Sequence, residues 1–330
     1  MKKLNEISYY EVFLCLLVIL IHVMSECISG YIKGTFLSAA SFFVSRAATF
    51  VVPAFIMSSG IKLFRKHKDR RFDYLPFIKT RLTKIYLPFL FWVAAYYLYF
   101  VFRLRYFPFS IKDMASYLLL GNIASPFYFV IIIMQLYITF PLWLRLLKRI
   151  PPLPAILAAT LVTVLSQYLL RDFTHSDKVF TSYLVYWITG GAIGLNYERF
   201  TASAKRLRVP LVALGACFTV LYAGMAYAEF MGLYGSFFTE VVKLLFSIFA
   251  SLMYLAIMPR GESAVIQKLA AVTYYVYLIH SLIIFEVNHD MTVLGITSIS
   301  QRLVIRAAVV YTLSFALCLA WRKIKLLKKC

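Results

Sequence analysis

The sequence predicts an all-α, polytopic transmembrane helix bundle of about ten helices with both termini cytoplasmic. Three observations carry that expectation: composition, recurring long apolar runs, and an uneven distribution of basic residues. Of 330 residues, 62% are hydrophobic and only 15% charged, and the mean hydropathy is +0.79. Soluble domains run near about 45–50% apolar and about 25% charged, so a chain this apolar lacks the polar surface to cover a water-facing fold. Disorder, a coiled coil and a secreted disulfide scaffold are excluded at the same step. The net charge of +21 is the signature of basic cytoplasmic loops in a membrane protein rather than of a nucleic-acid footprint.

Apolar stretches long enough to span a bilayer, about 17–25 residues, fall at about 10–29, 44–64, 85–102, 126–147, 153–170, 179–196, 210–229, 237–258, 269–287 and 303–321. The first follows Met1-Lys2-Lys3, as a signal peptide would. It carries Glu11 and His22 and lacks an A-x-A cleavage site, so it reads as a retained helix. With the N-terminus inside, and with Lys62, Arg145 and Arg306 counted with the segments their spans adjoin, 25 of the 35 Lys and Arg lie on the cytoplasmic side and 8 outside, while Arg46 and Lys243 fall within spans; the positive-inside rule selects this orientation. Pro151, Pro152 and Pro154 mark a tight cytoplasmic turn. The longest loops, 65–84 and 103–125, fall short of the roughly 50 residues a domain needs, so residues 1–330 read as one integral membrane domain. The five cysteines form no C-x-x-C pair and mostly sit in apolar runs, which supports neither a disulfide framework nor a metal site.

Ionisable groups at membrane depth usually face the bundle interior or a pathway. Here they are Glu11, His22, Glu26, Arg46, Glu240, Lys243, His280, Glu286 and Arg306. Glu26, Glu286 and Arg306 fall near the outer interface, where they need no special explanation. Glu11 and His22 are eleven residues apart, three turns plus about 20° of helix, and so share a face about 16 Å apart along the axis. Glu26 lies one turn beyond His22, within reach of an imidazole nitrogen whose tautomer it would fix. The plainer reading of His22 is a buried histidine bonded to another helix. Thr273, Tyr277 and His280, at i, i+4 and i+7, make a polar stripe that suits either helix packing or substrate. Arg46 and Lys243 have Glu240 as a nearby candidate carboxylate. Of the basic block from Arg65 to Lys84, the first part fits positive-inside topology and anionic lipid. Lys79, Arg81 and Lys84 instead stand where an apolar run begins, suited to the phosphates of an anionic donor. No G-x-G-x-x-G, P-loop or H-E-x-x-H motif occurs.

Four ordered stretches resemble the acyltransferase-3 family of integral membrane acyltransferases, which modify cell-surface glycans. Leu4-Asn-Glu-Ile with Cys15-Leu-Leu-Val-Ile-Leu-Ile-His22 looks like the family's first helix and its histidine. Phe50-Val-Val-Pro53-Ala-Phe-Ile-Met-Ser58-Ser59-Gly60 looks like its Pro-x-Phe…Ser-Gly element. Phe77-Ile-Lys79-Thr-Arg81-Leu-Thr-Lys84-Ile-Tyr-Leu-Pro88 is similar to its basic motif, and Thr273-Tyr-Tyr-Val-Tyr277-Leu-Ile-His280 to its late Tyr-x-x-His helix. A weaker match lies at Phe127-Tyr-Phe…Tyr137…Pro141. Where the family has an arginine on the first helix this sequence has Glu11, with Arg46 the candidate substitute.

The resemblance implies transfer of an acyl group, acetyl being the expected one, from cytoplasmic acyl-CoA as donor substrate to a hydroxyl of a cell-surface or lipid-linked glycan at the bacterial cytoplasmic membrane. It implies no permanently bound cofactor and no metal. His22 is then the candidate base or acyl carrier, with Glu11 and Glu26 beside it. Lys79, Arg81, Lys84 and Arg46 are the candidates for holding the donor, and Ser58, Ser59, Tyr277 and His280 for lining the passage. The alternative is a polysaccharide or lipid transporter or flippase that uses the same polar residues without chemistry. Such proteins often carry inverted repeats, and none is visible here.

Overall fold

The computed structural model describes residues 4–233 and 237–327, and among these no strand occurs. The helices are α1 (Asn5–Val23), α2 (Ser25–Gly30), α3 (Phe36–Ala48), α4 (Val51–Lys66), α5 (Tyr74–Arg81), α6 (Leu87–Leu98), α7 (Ile111–Leu120), α8 (Tyr128–Ile138) and α9 (Phe140–Leu147). They continue with α10 (Pro152–Leu169), α11 (Leu184–Leu195), α12 (Tyr197–Arg206), α13 (Arg208–Phe230), α14 (Phe237–Ile257), α15 (Ala264–Ala270), α16 (Thr273–Val293) and α17 (Ile299–Leu327). The all-helical membrane bundle is as predicted, because only internally bonded helices satisfy their backbone in lipid at this composition.

The spans differ from the expected ten. Among the described residues, seven helical stretches are long and apolar enough to cross: Asn5–Gly30, Phe36–Lys66, Tyr74–Arg103, Pro152–Leu169, Arg208–Phe230, Phe238–Ile257 and Ile299–Ile324. Two bent pairs, Ile111–Leu120 with Ser125–Ile138 (52°) and Ala264–Ala270 with Thr273–Val293 (61°), bring the number to as many as nine where each pair is one broken span. The run expected to span at 179–196 is instead α11, twelve residues entered through short 3₁₀ turns. Every one of its side chains is buried, so its apolar composition reflects protein neighbours rather than lipid.

The chain divides into two compact units, one of Met1–Ala54 with Ser203–Cys330 and one of Phe55–Ala202. In the first, the register of α1, α16 and α17 is readable from three kinds of contact. The Cys15 thiol meets the Thr273 carbonyl, and the His22 ring meets the His280 ring. Both pairs are offset by 258 positions, so α1 and α16 run parallel. Tyr311 Oη donates to the Leu16 carbonyl at 2.8 Å and Arg306 Nη1 to the Val23 carbonyl at 2.7 Å, so α17 runs antiparallel to α1. Stacked rings fill the remaining space: Phe50 on Tyr254 at 5.2 Å, and Phe42 on Phe230 at 4.8 Å.

The second unit is built on a close approach between α4 and α11. Gly190 and Gly194 form a small-x-x-x-small face of the kind that lets membrane helices touch backbone to backbone. A Cβ on Gly194 would lie 2.6 Å from the Ile61 carbonyl oxygen, and one on Gly190 would overlap the Met57 carbonyl. Overpacking of this kind typically costs about 1–3 kcal/mol, and here the obstacle is backbone that cannot rotate away. Gly190→Ala is therefore expected to lower the melting temperature in detergent by several degrees, more than Gly224→Ala, where nothing lies within 4 Å. Equal melting of the two variants would show that α4 and α11 separate at no cost. Around this contact Phe64, Phe140 and Trp187 meet edge to face at 5.0–6.2 Å.

Candidate active site

In the first unit, α1 ends at Val23 and a turn at Met24 separates it from α2. The carbonyls of a helix's last turn lack intrahelical partners, and here two are met from outside the ladder. Ser25 Oγ donates to the His22 carbonyl at 2.8 Å, and Arg306 Nη1 to that of Val23. His22 therefore stands at a capped helix end. Its imidazole is partly exposed, and among the described residues neither ring nitrogen has a hydrogen bond. Its neighbour is the His280 ring, 5.3 Å away between centroids.

His280 is fully buried and its state follows from its partners. Nδ1 lies 2.8 Å from the Tyr277 carbonyl and 3.2 Å from that of Val276. Both accept only, so Nδ1 carries the proton. Nε2 is left as the acceptor, 3.2 Å from Ser281 Oγ. Tyr277, 7% exposed, has its ring 6.1 Å from that of His280. The stripe predicted on this helix splits: Thr273 turns its hydroxyl to the Ala270 carbonyl, while His280 faces the first helix's histidine and Tyr277 lies beside His280.

Two expectations for this unit are corrected. Glu26 does not hold the His22 imidazole. The break at Met24 destroys the one-turn register that would have joined them, and the Glu26 carboxylate pairs with Arg302 Nε at 2.8 Å and with Arg306. Arg46 does not pair with Glu240, which takes Lys243 at 3.0 Å. The Arg46 guanidinium lies over the Phe42 ring at 4.7 Å, with a buried Nε that has no hydrogen-bond partner among the described residues. Glu11 stays on the uninterrupted α1, partly buried, and keeps its three-turn spacing from His22.

In the second unit, Lys79, Arg81 and Lys84 lie along one continuous helix, with Lys84 inside a π-helical turn, Leu82–Tyr86. Such turns are frequent at functional sites. Lys79 and Lys84 are exposed, and Arg81 turns inward. Its guanidinium packs on the rings of Phe77 and Tyr137 at 5.0 and 5.1 Å, and its Nε is buried without a partner. Ser58 is fully buried in α4 and Ser59 partly so.

Beside Arg81 lies a residue that reading the sequence did not single out. His67 packs against Phe72, Phe140 and Phe77 at 5.2–6.1 Å, and both its ring nitrogens are buried without a hydrogen-bond partner. The basic run Arg65–Arg71 concealed it among residues that topology alone accounts for. Burial, then the charges of Lys66, Arg81, Arg70 and Lys148, push its pKa down from about 6.5 to about 4. A depressed histidine binds its proton more readily in the unfolded chain. The stability it contributes is therefore complete above about pH 6.5 and lost as pH falls towards 4. His67→Leu is expected to flatten the fall of melting temperature between pH 7 and pH 5. An unchanged slope would mean that the ring titrates as it would in water.

The acyltransferase-domain model of the acyltransferase-3 family matches residues 4–321. Two relatives, both named "Probable poly-beta-1,6-N-acetyl-D-glucosamine export protein", come from Staphylococcus aureus strains MSSA476 and MRSA252. Each is 24% identical over 310 residues, covering 86% of this chain and 83% of the relative. No solved structure matches.

Proposed function

The chain belongs to the acyltransferase-3 family, and from that premise we propose that this multi-pass membrane protein moves an acyl group, acetyl in the first instance, from cytoplasmic acyl-CoA to a hydroxyl of a cell-surface or lipid-linked glycan at the bacterial cell membrane. The observation that carries the reading is His22: a partly exposed imidazole with unengaged nitrogens, at a capped helix end, backed by a buried histidine of fixed tautomer. A neutral imidazole suits the task of general base near neutral pH.

In this proposal His22 takes the proton of the acceptor hydroxyl as its oxygen attacks the thioester carbonyl. The carbon–sulfur bond breaks, and the thiolate leaves with the proton that the imidazolium returns. Arg81, with Lys79 and Lys84, holds the donor's phosphates by charge-assisted bonds. Arg46, a cation with no carboxylate partner among the described residues, is a second anchor for negative charge. Ser58, Ser59, Tyr277 and His280 belong to the lining in the same reading, while Glu11 stands in the helix position of the family's arginine.

The full-length protein in detergent, given acetyl-CoA and a β-1,6-linked N-acetylglucosamine oligosaccharide, should release free thiol and yield acceptor heavier by one acetyl group. The names of the relatives favour a second reading, export of a polysaccharide. In proteoliposomes, uptake of the labelled oligosaccharide with neither thiol release nor mass change would select export. Both termini are proposed to be cytoplasmic, on the distribution of Lys and Arg; this needs an even number of crossings, the nine stretches above with 180–195 as a tenth that crosses among protein neighbours, and Lys2, Lys3, Lys328 and Lys329, which contribute to the distribution, lie outside the described residues. Lys68→Cys and Ser176→Cys, each in a cysteine-free background, should label from opposite sides of the membrane. Labelling of both by an impermeant reagent on intact cells would refute the orientation.

A further inference from the structure

Arg306 is expected from sequence to sit at the outer interface, where an arginine would snorkel to water. It is instead 1% exposed. From α17 its planar guanidinium reaches three elements at once. Nη1 donates to the Val23 carbonyl of α1 at 2.7 Å, and Nε donates to Asn288 Oδ1 of α16 at 2.8 Å. Nη2 pairs with the Glu26 carboxylate of α2. That carboxylate is itself held by Arg302 Nε at 2.8 Å, and Arg302 Nη1 donates to the Ile296 carbonyl at 3.0 Å. Two cations face one carboxylate here, so charge pairing alone does not account for the arrangement.

The placement of these bonds is what matters. Val23 directly follows His22, at the break that ends α1. Asn288 lies eight residues, about two turns, beyond His280 on the same helix. One rigid fork therefore grips the helix end that carries the first histidine and the helix that carries the second. A lysine offers a single point of donation and cannot span both partners in fixed geometry. We propose that Arg306 is a positioning residue that sets the spacing and mutual angle of the His22 and His280 rings by bridging Val23 and Asn288. This rests on the reading of His22 as the base.

The test uses the full-length protein with Arg306→Lys, Asn288→Ala and His22→Ala side by side. Melting temperature, kcat and donor KM are measured for each, together with the ring signals of ¹⁵N-labelled histidine. A small misplacement of a reacting group costs turnover rather than ground-state binding. Arg306→Lys should thus lower kcat by about 10- to 100-fold and leave donor KM within about twofold. Asn288→Ala, which leaves the grip on α1 and the pairing with Glu26 intact, should lower kcat less, and both should move the His22 ring signals. The proposal is overturned if kcat is unchanged in both variants, or falls only in step with the folded fraction, or if the ring signals stay fixed. Should Arg306→Lys fail to fold, Asn288→Ala decides by the same criteria. Loss of activity in His22→Ala alone, with Arg306→Lys and Asn288→Ala as wild type, removes the positioning role and keeps the base. Full activity in His22→Ala removes the base and this inference with it.

Discussion

His22→Ala is expected to lower acyl transfer by about 10²–10⁴-fold as loss of a general base, and by more if the imidazole carries the acyl group. The physical reason lies in what surrounds the ring. His22 has no hydrogen-bond partner among the described residues, and its ring contact there is with His280, so its removal breaks no hydrogen-bonded network that holds the bundle. Alanine is the strongest helix former, and the caps on this helix end are to backbone carbonyls that the substitution preserves. Membrane insertion and yield should therefore match wild type. Retained activity would transfer the weight of the case to export.

The second large effect is expected at the basic cluster on the other unit. Replacing Lys79, Arg81 and Lys84 together with glutamine should raise the apparent donor constant by two or more orders of magnitude, since each charge-assisted bond to phosphate contributes about 1.5–3 kcal/mol. The structure refines the share of each. Arg81 is held against two rings with its Nε buried, which orients the guanidinium before any ligand arrives, whereas the two lysines are exposed and must be ordered on binding. Arg81→Gln alone should therefore account for more than a third of the effect. A donor constant unmoved by the triple substitution would leave these residues to topology and lipid.

Much of the bundle was legible because apolar length is a physical requirement of crossing lipid, and runs such as 210–229 and 303–321 meet it without tertiary help. The run 179–196, shorter as a helix than its apolar length predicts, has the same root. Leu184–Leu195 is as apolar as a span because it is buried on all sides, and composition cannot distinguish lipid from protein as the solvent. At the site, His22 and His280 were visible singly as costly residues at depth, but their pairing depends on the parallel register of α1 and α16, which no local pattern encodes. An ideal helix carried through Met24 places Glu26 beside His22, and distance along the chain alone places Arg306 at the interface, so neither the arginine partners of Glu26 nor the burial of Arg306 is legible from local pattern. His67 was hidden by its neighbours, whose charges had a sufficient explanation without it.

The shortness of α11 has a consequence for how the protein is made. Twelve residues of helix reach about 18 Å, well under the roughly 30 Å of the hydrocarbon core, so lipid alone offers this segment no stable berth as it leaves the ribosome. Its glycine face fits one surface, the backbone of α4 at Met57 and Ile61, and α4 is synthesised more than a hundred residues earlier. That surface has to remain open until α11 emerges. The interval is a window in which a chaperone or a competing helix can occupy the groove, so substitutions that widen the glycine face, Gly190→Ala among them, should lower the yield from cells as well as the melting temperature of the purified protein.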